Sequence, residues 1–258
     1  MIGLIRAELK KFSSIRMTWV LIVSGVSLSL MYVMSYALMA GLDMGSGVMI
    51  PGLDDPSGLS VHLTYSGIGM GAYAIAIVLG IVSATAEQRY RTATATYLVT
   101  PHRSRVLAAK WIAAFLWGAI FAIIDLAVCL PAAGFLVSRV DGHFELATSD
   151  LATIAVGTLA AFALYAALGV AIGALVKNQI GAIVGALAWV MIVESILTTL
   201  VPEPARYLPG GAMAAMSEMV SLNGQGFLEP WQGGVLLLAY ATVISLIAAK
   251  VGSRQDVS

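Results

Sequence analysis

Six long apolar runs constrain this chain more than any other feature of its sequence. They cover residues 17–40, 67–86, 111–137, 151–176, 180–201 and 233–249. About 20 apolar residues are enough for a helix to cross the hydrocarbon core of a bilayer. Because the runs are continuous rather than alternating, they indicate spanning helices and disfavour a β-barrel. We therefore predict an all-α integral membrane protein with six transmembrane helices, in a single domain over residues 1–258.

Composition excludes a soluble protein. Hydrophobic residues make up 59% of the chain and charged residues only 11%, whereas roughly a quarter of a soluble domain is charged. A chain of this composition has too little polar surface to face water on all sides. The lipid bilayer is therefore its expected environment.

A short amphipathic helix is predicted over residues 2–16, before the first apolar run. Its apolar positions recur at helical spacing and its basic positions occupy the other side, as in helices that lie in the membrane interface. The apolar positions are Ile2, Ile5, Leu9 and Phe12, and the basic positions are Arg6, Lys10 and Lys11. An ordinary basic flank before a span is the alternative. The first run is too long for the apolar region of a signal peptide.

The longest polar and basic segment of the chain, residues 87–110, lies between the second and third runs. It carries five of the fourteen Lys and Arg, with several threonines and an apolar stretch around Tyr97 and Leu98. If the only role of this segment were to set the orientation of the chain in the membrane, it would need no such apolar stretch. A short helix with an exposed apolar tip flanked by arginines is suited to a groove on a soluble partner.

Charge distribution predicts the orientation of the six helices. With six crossings both termini lie on one side, together with residues 87–110 and the turn around Lys177. That side holds twelve of the fourteen Lys and Arg, and only Arg139 and Arg206 fall on the other. By the positive-inside rule, both termini are predicted to be cytoplasmic.

Two acids, Asp125 and Glu194, fall inside predicted spans. A carboxylate in lipid is costly unless it is paired, protonated or facing water, so each is a candidate for a substrate path or proton site. The alternative is a protonated, structural acid that is hydrogen-bonded to Ser195, Thr198 or a neighbouring helix. The three histidines lie in loops and the one cysteine lies in an apolar run, so we expect no metal site. The sequence has no P-loop motif for ATP.

The order of these parts resembles the permease subunits of ABC-2-type exporters. The likeness covers the whole chain: a basic amphipathic start (AELKKFSSIRMTWVL), six runs, an E-x-R-x-x-T segment after the second, and a basic stretch from Pro101 to Lys110 before the third. The turn GALVKNQ after the fourth run and the long segment 202–232 before the sixth also resemble that family.

The resemblance implies a plasma (inner) membrane permease that exports an amphipathic or hydrophobic substrate and has no ATPase site of its own. A separate ATPase subunit would bind ATP and Mg²⁺, and a second permease copy or a paralogue would complete the transporter, with a homodimer expected. No cofactor in this chain and no nucleic acid is implied.

The resemblance also assigns parts of the chain. A cytoplasmic coupling helix between helices 2 and 3 would lie in residues 87–105, and residues 202–232 would form the extracytoplasmic gate. The residues expected to contact the ATPase are Glu87, Arg89, Arg91, Thr92, Tyr97, Leu98, Pro101 and Arg105. Two other hypotheses stay open: a proton-coupled secondary carrier that uses Asp125 and Glu194, and a non-transport membrane assembly factor.

Overall fold

The structure is a computed structural model that describes residues 1–42, 50–89, 103–142, 145–219 and 226–254. Within these ranges all regular secondary structure is helical. In chain order the helices are α1 (Ile2–Ser14), α2 (Arg16–Met39), α3 (Leu59–Ser66), α4 (Ala72–Arg89), α5 (Arg103–Val137), α6 (Thr148–Val176), α7 (Gln179–Ala188), a π-helical turn (Trp189–Val193), α8 (Glu194–Leu200), α9 (Pro202–Ala205), α10 (Pro209–Met216) and α11 (Pro230–Arg254).

Five helical stretches in the described part of the chain are long and apolar enough to cross a membrane. They are Arg16–Met39, Arg105–Val137, Thr148–Val176, Gln179–Leu200 and Pro230–Val251. The fourth of these combines α7, the π-helical turn and α8. The prediction of an all-α, multi-pass membrane protein is confirmed, and five of the six apolar runs correspond to these stretches.

The second apolar run, residues 67–86, differs from a single spanning helix. Helix α3 ends at Ser66 and α4 begins at Ala72, with a glycine turn between them. Gly69 and Gly71 have φ angles of +86° and +75°, a conformation that residues with a side chain rarely adopt. The apolar part of α4 is shorter than the five spanning stretches, so a sixth crossing stays a prediction.

Helix α6 lies at the centre of the bundle and packs against α4, α5 and α11. Its residues 161–171 are all buried. A Cβ on Gly80 of α4 would overlap the carbonyl oxygen of Ala166, and one on Gly169 would overlap that of Ile77. Glycine at these positions lets the α4 and α6 backbones touch, as small residues do between membrane helices.

The N-terminal helix α1 is separate from the first spanning helix, as the sequence predicted. Ile15 is extended (φ −92°, ψ 119°) and ends α1 before α2 starts at Arg16. Phe12 stacks on Trp117 of α5 with ring centroids 5.8 Å apart, and the indole N–H of Trp117 donates to the carbonyl of Leu9 at 3.2 Å. These contacts fix α1 against the start of α5.

A short buried helix, α10, lies in the segment 202–232. It begins at Pro209 and ends at Met216. Residues 212–216 are all buried. The helix packs on α6 and α11, where Gly157 and Gly233 leave room for the carbonyl groups of Met216 and Ala212.

Candidate functional site

Four charged side chains meet where α1, the end of α4 and the start of α5 come together. We call Glu8, Lys11, Glu87 and Lys110 the charge quartet. The Lys11 ammonium lies 2.6 Å from Glu8 Oε1 and 2.7 Å from Glu87 Oε1. The Lys110 ammonium lies 3.0 Å from Glu8 Oε2 and 3.3 Å from Glu87 Oε1. Each cation therefore contacts both carboxylates, and the quartet has no net charge.

The quartet is mostly excluded from solvent. The side chains of Glu8 and Lys110 are 2% and 6% exposed, whereas that of Lys11 is 44% exposed. Burying a charge is costly unless it is paired and hydrogen-bonded. Since breaking one pair would leave a buried charge uncompensated, the quartet holds its three helix segments at fixed distances from one another.

The contacts within the quartet favour the ionised forms of Lys11 and Glu87. Burial lowers the pKa of Lys11, but the hydrogen bonds and charges of Glu8 and Glu87 outweigh it, so the pKa lies above its usual value. Burial raises the pKa of Glu87, but the ammonium groups of Lys110 and Lys11 outweigh it and hold the pKa below its usual range. Both groups are therefore charged at neutral pH.

Three of the eight residues predicted to contact a partner fall in the described part of the chain. Glu87 is buried in the quartet. Arg89 and Arg105 are exposed, and Arg89 donates to the side-chain oxygen of Gln179 at the start of α7, at 3.2 Å. The other five lie outside the described residues. They are Arg91, Thr92, Tyr97, Leu98 and Pro101.

Sequence reasoning missed the quartet as a unit. It treated Lys11 and Lys110 only as positive charges and gave Glu8 no role. The available signal was Glu8 itself, the single acid of an otherwise basic amphipathic helix. Its pairing with Lys110, 102 residues away, follows from tertiary packing and is invisible in local spacing.

An apolar cavity of about 320 Å³ adjoins the quartet, whose four residues form part of its lining. Phe12 of α1, Leu21 of α2 and Leu79 of α4 are among the apolar residues of its wall. Val82 and Ser83 also line it and are partly exposed. The site thus combines paired charges with an apolar interior.

The first intramembrane acid, Asp125, belongs to a buried hydrogen-bond network near the middle of α2. Ser29 donates to Asp125 Oδ2 at 3.1 Å and accepts the backbone N–H of Gly69 at 2.8 Å. The thiol of Cys129 donates to Ser29 Oγ at 3.3 Å. Because Gly69 lies in the turn between α3 and α4, this network supplies hydrogen bonds to non-helical backbone inside the apolar region.

The second intramembrane acid, Glu194, is the first residue of α8, and its carboxylate reaches the start of α10. Its Oε2 accepts the backbone N–H of Gly210 at 2.6 Å, where the helix dipole favours a negative group. Its Oε1 and the hydroxyl of Tyr165 are buried and have no hydrogen-bond partner among the described residues. Asp125 and Glu194 are thus held at different breaks between helices and are not brought together in one site.

A three-ligand metal site does not occur in the described ranges, where no group of three His, Cys, Asp or Glu side chains is suitably placed. Comparison of the chain with protein-family models, with curated proteins and with solved structures finds no match. The geometry of the charge quartet and of the two buried acids is therefore the basis for assigning a function.

Proposed function

We propose that this chain is the membrane-spanning permease subunit of an ATP-driven exporter of the ABC-2 type. In this proposal it moves an amphipathic or hydrophobic substrate outward across the plasma (inner) membrane. A separate ATPase subunit binds ATP and Mg²⁺, and a second copy or a paralogue of the permease completes the transporter. Both termini and residues 87–105 face the cytoplasm.

The observation that supports this proposal best is the charge quartet. Glu87 and Lys110 lie at the two ends of the basic segment 87–110, and Glu8 and Lys11 connect both to α1. A partner that displaced the basic segment would therefore move α1, α4 and α5 together. Buried paired charges resist separation. A displacement of the basic segment would therefore be transmitted to the helices of the bundle and would not be confined to the segment itself.

The partner surface in this proposal is the part of residues 87–105 that leads away from the quartet. Arg89 and Arg105 are exposed on either side of it, and Tyr97 and Leu98 supply the apolar anchor. Glu87, which is buried among two lysines, would position this surface rather than contact the ATPase directly. Arg91, Thr92 and Pro101 complete the proposed surface.

The test is affinity purification of the full chain in mild detergent from cells that express it natively, with identification of bound proteins. We expect a stoichiometric P-loop ATPase, which is lost in the variant Leu98→Asp. The matched control is Leu42→Asp, because Leu42 is an exposed leucine that follows the C-terminal end of α2, away from residues 87–105. An ATPase that stays bound to the Leu98→Asp variant would refute the docking assignment.

A proton-coupled carrier is the second candidate, and the buried unpartnered atoms Glu194 Oε1 and Tyr165 Oη favour it. The variants Asp125→Asn and Glu194→Gln keep a hydrogen-bonding side chain but cannot exchange a proton. A carrier would lose transport in both, whereas an exporter driven by an ATPase partner would keep it. A non-transport assembly factor would show neither transport nor a bound ATPase.

A further inference from the structure

We propose that the cavity beside the charge quartet binds one phosphatidylethanolamine molecule from the surrounding bilayer, with an acyl chain inside and the zwitterionic headgroup on the quartet. This site goes beyond the proposed export function and does not depend on it. The inference rests on the shape of the cavity, the balance of its charges and the hydrogen-bonding capacity of Lys11 and Glu8.

The interior of the cavity is suited to an acyl chain. Its volume of about 320 Å³ falls within the range of small-molecule sites. Phe12, Leu21 and Leu79 line it and are buried, and burial of apolar surface stabilises a bound chain. Val82 and Ser83 of α4 are only partly buried, so the cavity is accessible at this side.

The charges beside the cavity are suited to a zwitterion. Two ammonium groups and two carboxylates alternate in the quartet. An anionic headgroup would meet both lysines but would also be repelled by Glu8 and Glu87. A headgroup that carries a phosphate and an ammonium a few bonds apart can place each charge beside its opposite.

The hydrogen-bonding capacity of the quartet favours a primary ammonium in the ligand. Within the described structure Lys11 donates to Glu8 and Glu87, and an ammonium has three donors, so one remains for a phosphate oxygen. Each oxygen of Glu8 accepts from one lysine and has a second lone pair. An ethanolamine ammonium can donate to Glu8, whereas a choline group has no N–H to donate.

The first measurement compares headgroups. The purified full chain is titrated with phosphatidylethanolamine, phosphatidylcholine and phosphatidylglycerol that have identical acyl chains, and bound lipid is counted by native mass spectrometry. We expect phosphatidylethanolamine to bind about tenfold more tightly than the other two, as one charge-assisted hydrogen bond implies. Equal or tighter binding of either competitor would overturn the proposal.

The second measurement locates the site with a matched pair of variants. Ser83→Phe places a ring in the cavity, and Ser27→Phe places the same ring on an exposed position of α2, where the hydroxyl donates only to the carbonyl of Val23. We expect phosphatidylethanolamine affinity to fall about tenfold in the first variant and to stay unchanged in the second. Unchanged affinity in Ser83→Phe, or equal losses in both variants, would overturn the proposal.

The third measurement uses the unmodified chain, so it stands even if Ser83→Phe does not fold. Phosphatidylethanolamine with a diazirine near the end of one acyl chain is incorporated, activated by light, and the labelled peptides are sequenced. We expect label on peptides that contain Leu21 or Leu79. Label confined to peptides that line none of the cavity would refute the assignment.

Discussion

At the residue scale, Glu8 is a buried carboxylate on a helix whose other charged side chains, Arg6, Lys10 and Lys11, are exposed. An interfacial helix could lie on the membrane with its basic side in water and no acid at all. Glu8 instead faces Lys110 in the interior at 3.0 Å. The helix is therefore fixed to the bundle by a specific ionic contact in addition to its apolar side.

Removing one member of the Glu8–Lys110 pair is expected to destabilise the fold more than removing both. Glu8→Leu or Lys110→Leu should each cost about 3–5 kcal/mol of unfolding free energy, because the remaining charge is left buried. The double variant keeps Lys11 beside Glu87 and restores charge balance, so its loss should be about 1 kcal/mol or less. The measurement is unfolding in mixed micelles followed by circular dichroism.

The control for this cycle is Lys10→Gln, since Lys10 is exposed on the same helix and its loss should change stability by at most about 0.5 kcal/mol. A double variant whose loss equals the sum of the two single losses would contradict a coupled pair. That result would mean that Glu8 and Lys110 stabilise the protein independently of each other.

The pH dependence of stability should follow Lys11 and Glu87. Glu87 has a lowered pKa, so its contribution is present above the unfolded value of about 4.3 and is lost as pH falls through the folded value. Lys11 has a raised pKa, so its contribution is present below the unfolded value of about 10.4 and is lost as pH rises through the folded value.

We therefore expect the difference in melting temperature between the native chain and Glu87→Gln to be constant from about pH 5 to 10. The difference should shrink on the acid side, where Glu87 is protonated in both states, and on the alkaline side, where Lys11 loses its charge. Melting in a maltoside detergent, followed by tryptophan fluorescence, measures this. A difference that is the same at every pH would show that Glu87 is not ionised in the folded protein.

At the element scale, the sequence predicted long helices well and predicted broken ones poorly. Apolar length alone located five spanning stretches, because about 20 apolar residues have few other stable arrangements in a bilayer. The break between α3 and α4 lies in an apolar run that contains three glycines within residues 67–71, but glycine is common in membrane helices. What decides the break is tertiary: Ser29, on another helix, accepts the N–H of Gly69.

Ser29→Ala is expected to destabilise the α3–α4 turn. The substitution removes the acceptor of the Gly69 N–H and of the Cys129 thiol, and the donor to Asp125. Three buried polar groups therefore lose a partner, at a cost of about 1–3 kcal/mol for each group left unsatisfied. Ser27→Ala is the matched control, because Ser27 is exposed on the same helix and its hydroxyl donates to the carbonyl of Val23, one turn earlier. Unfolding in mixed micelles distinguishes the two variants.

Equal stability of the Ser29→Ala and Ser27→Ala variants would mean that water replaces the hydroxyl in the turn. Hydrogen exchange would then show the Gly69 amide unprotected in Ser29→Ala and still protected in Ser27→Ala, where Ser29 accepts its N–H. Hydrogen exchange also tests the role of Asp125. If its carboxyl only holds the Ser29 hydroxyl in place, the Asp125→Asn variant should keep the Gly69 amide protected. Loss of protection in Asp125→Asn would instead show that the charge is needed to order the turn.

At the scale of the whole molecule, the order of the apolar runs predicts on which side each basic residue lies, and that stays a prediction, but it contains nothing about how the charges pair. The count of basic residues on each side needs only the order of the runs, so it was available from the sequence. The quartet needs the distances between α1, α4 and α5, which local patterns do not contain. The two acids within spans could be recognised from the sequence because charged residues are rare there. Their contacts with Ser29 and with the N–H of Gly210 depend on distances between helices, so the sequence did not predict them.

Two ends of the bundle can be distinguished by their side chains. The charge quartet lies at the start of α5. Leu53 and Val61 pack with Val137, the last residue of α5, and with Ala40, which follows α2. The ends of α2 and α5 therefore lie together, away from the quartet, and α4 must return the chain from this cluster to the quartet. This is the path that the predicted sixth crossing, shared by α3 and α4, would require.

Six crossings predict the sidedness of three single-cysteine variants, Ser13→Cys, Ser138→Cys and Ser253→Cys, each made in a Cys129→Ser background. Cys129 is buried and donates to Ser29, and serine keeps that donor. A membrane-impermeant maleimide applied to intact cells should label Ser138→Cys alone, and the other two should react only after the membrane is opened. If α4 did not cross, α5 would run inward instead of outward, and position 138 would be protected in intact cells together with position 13.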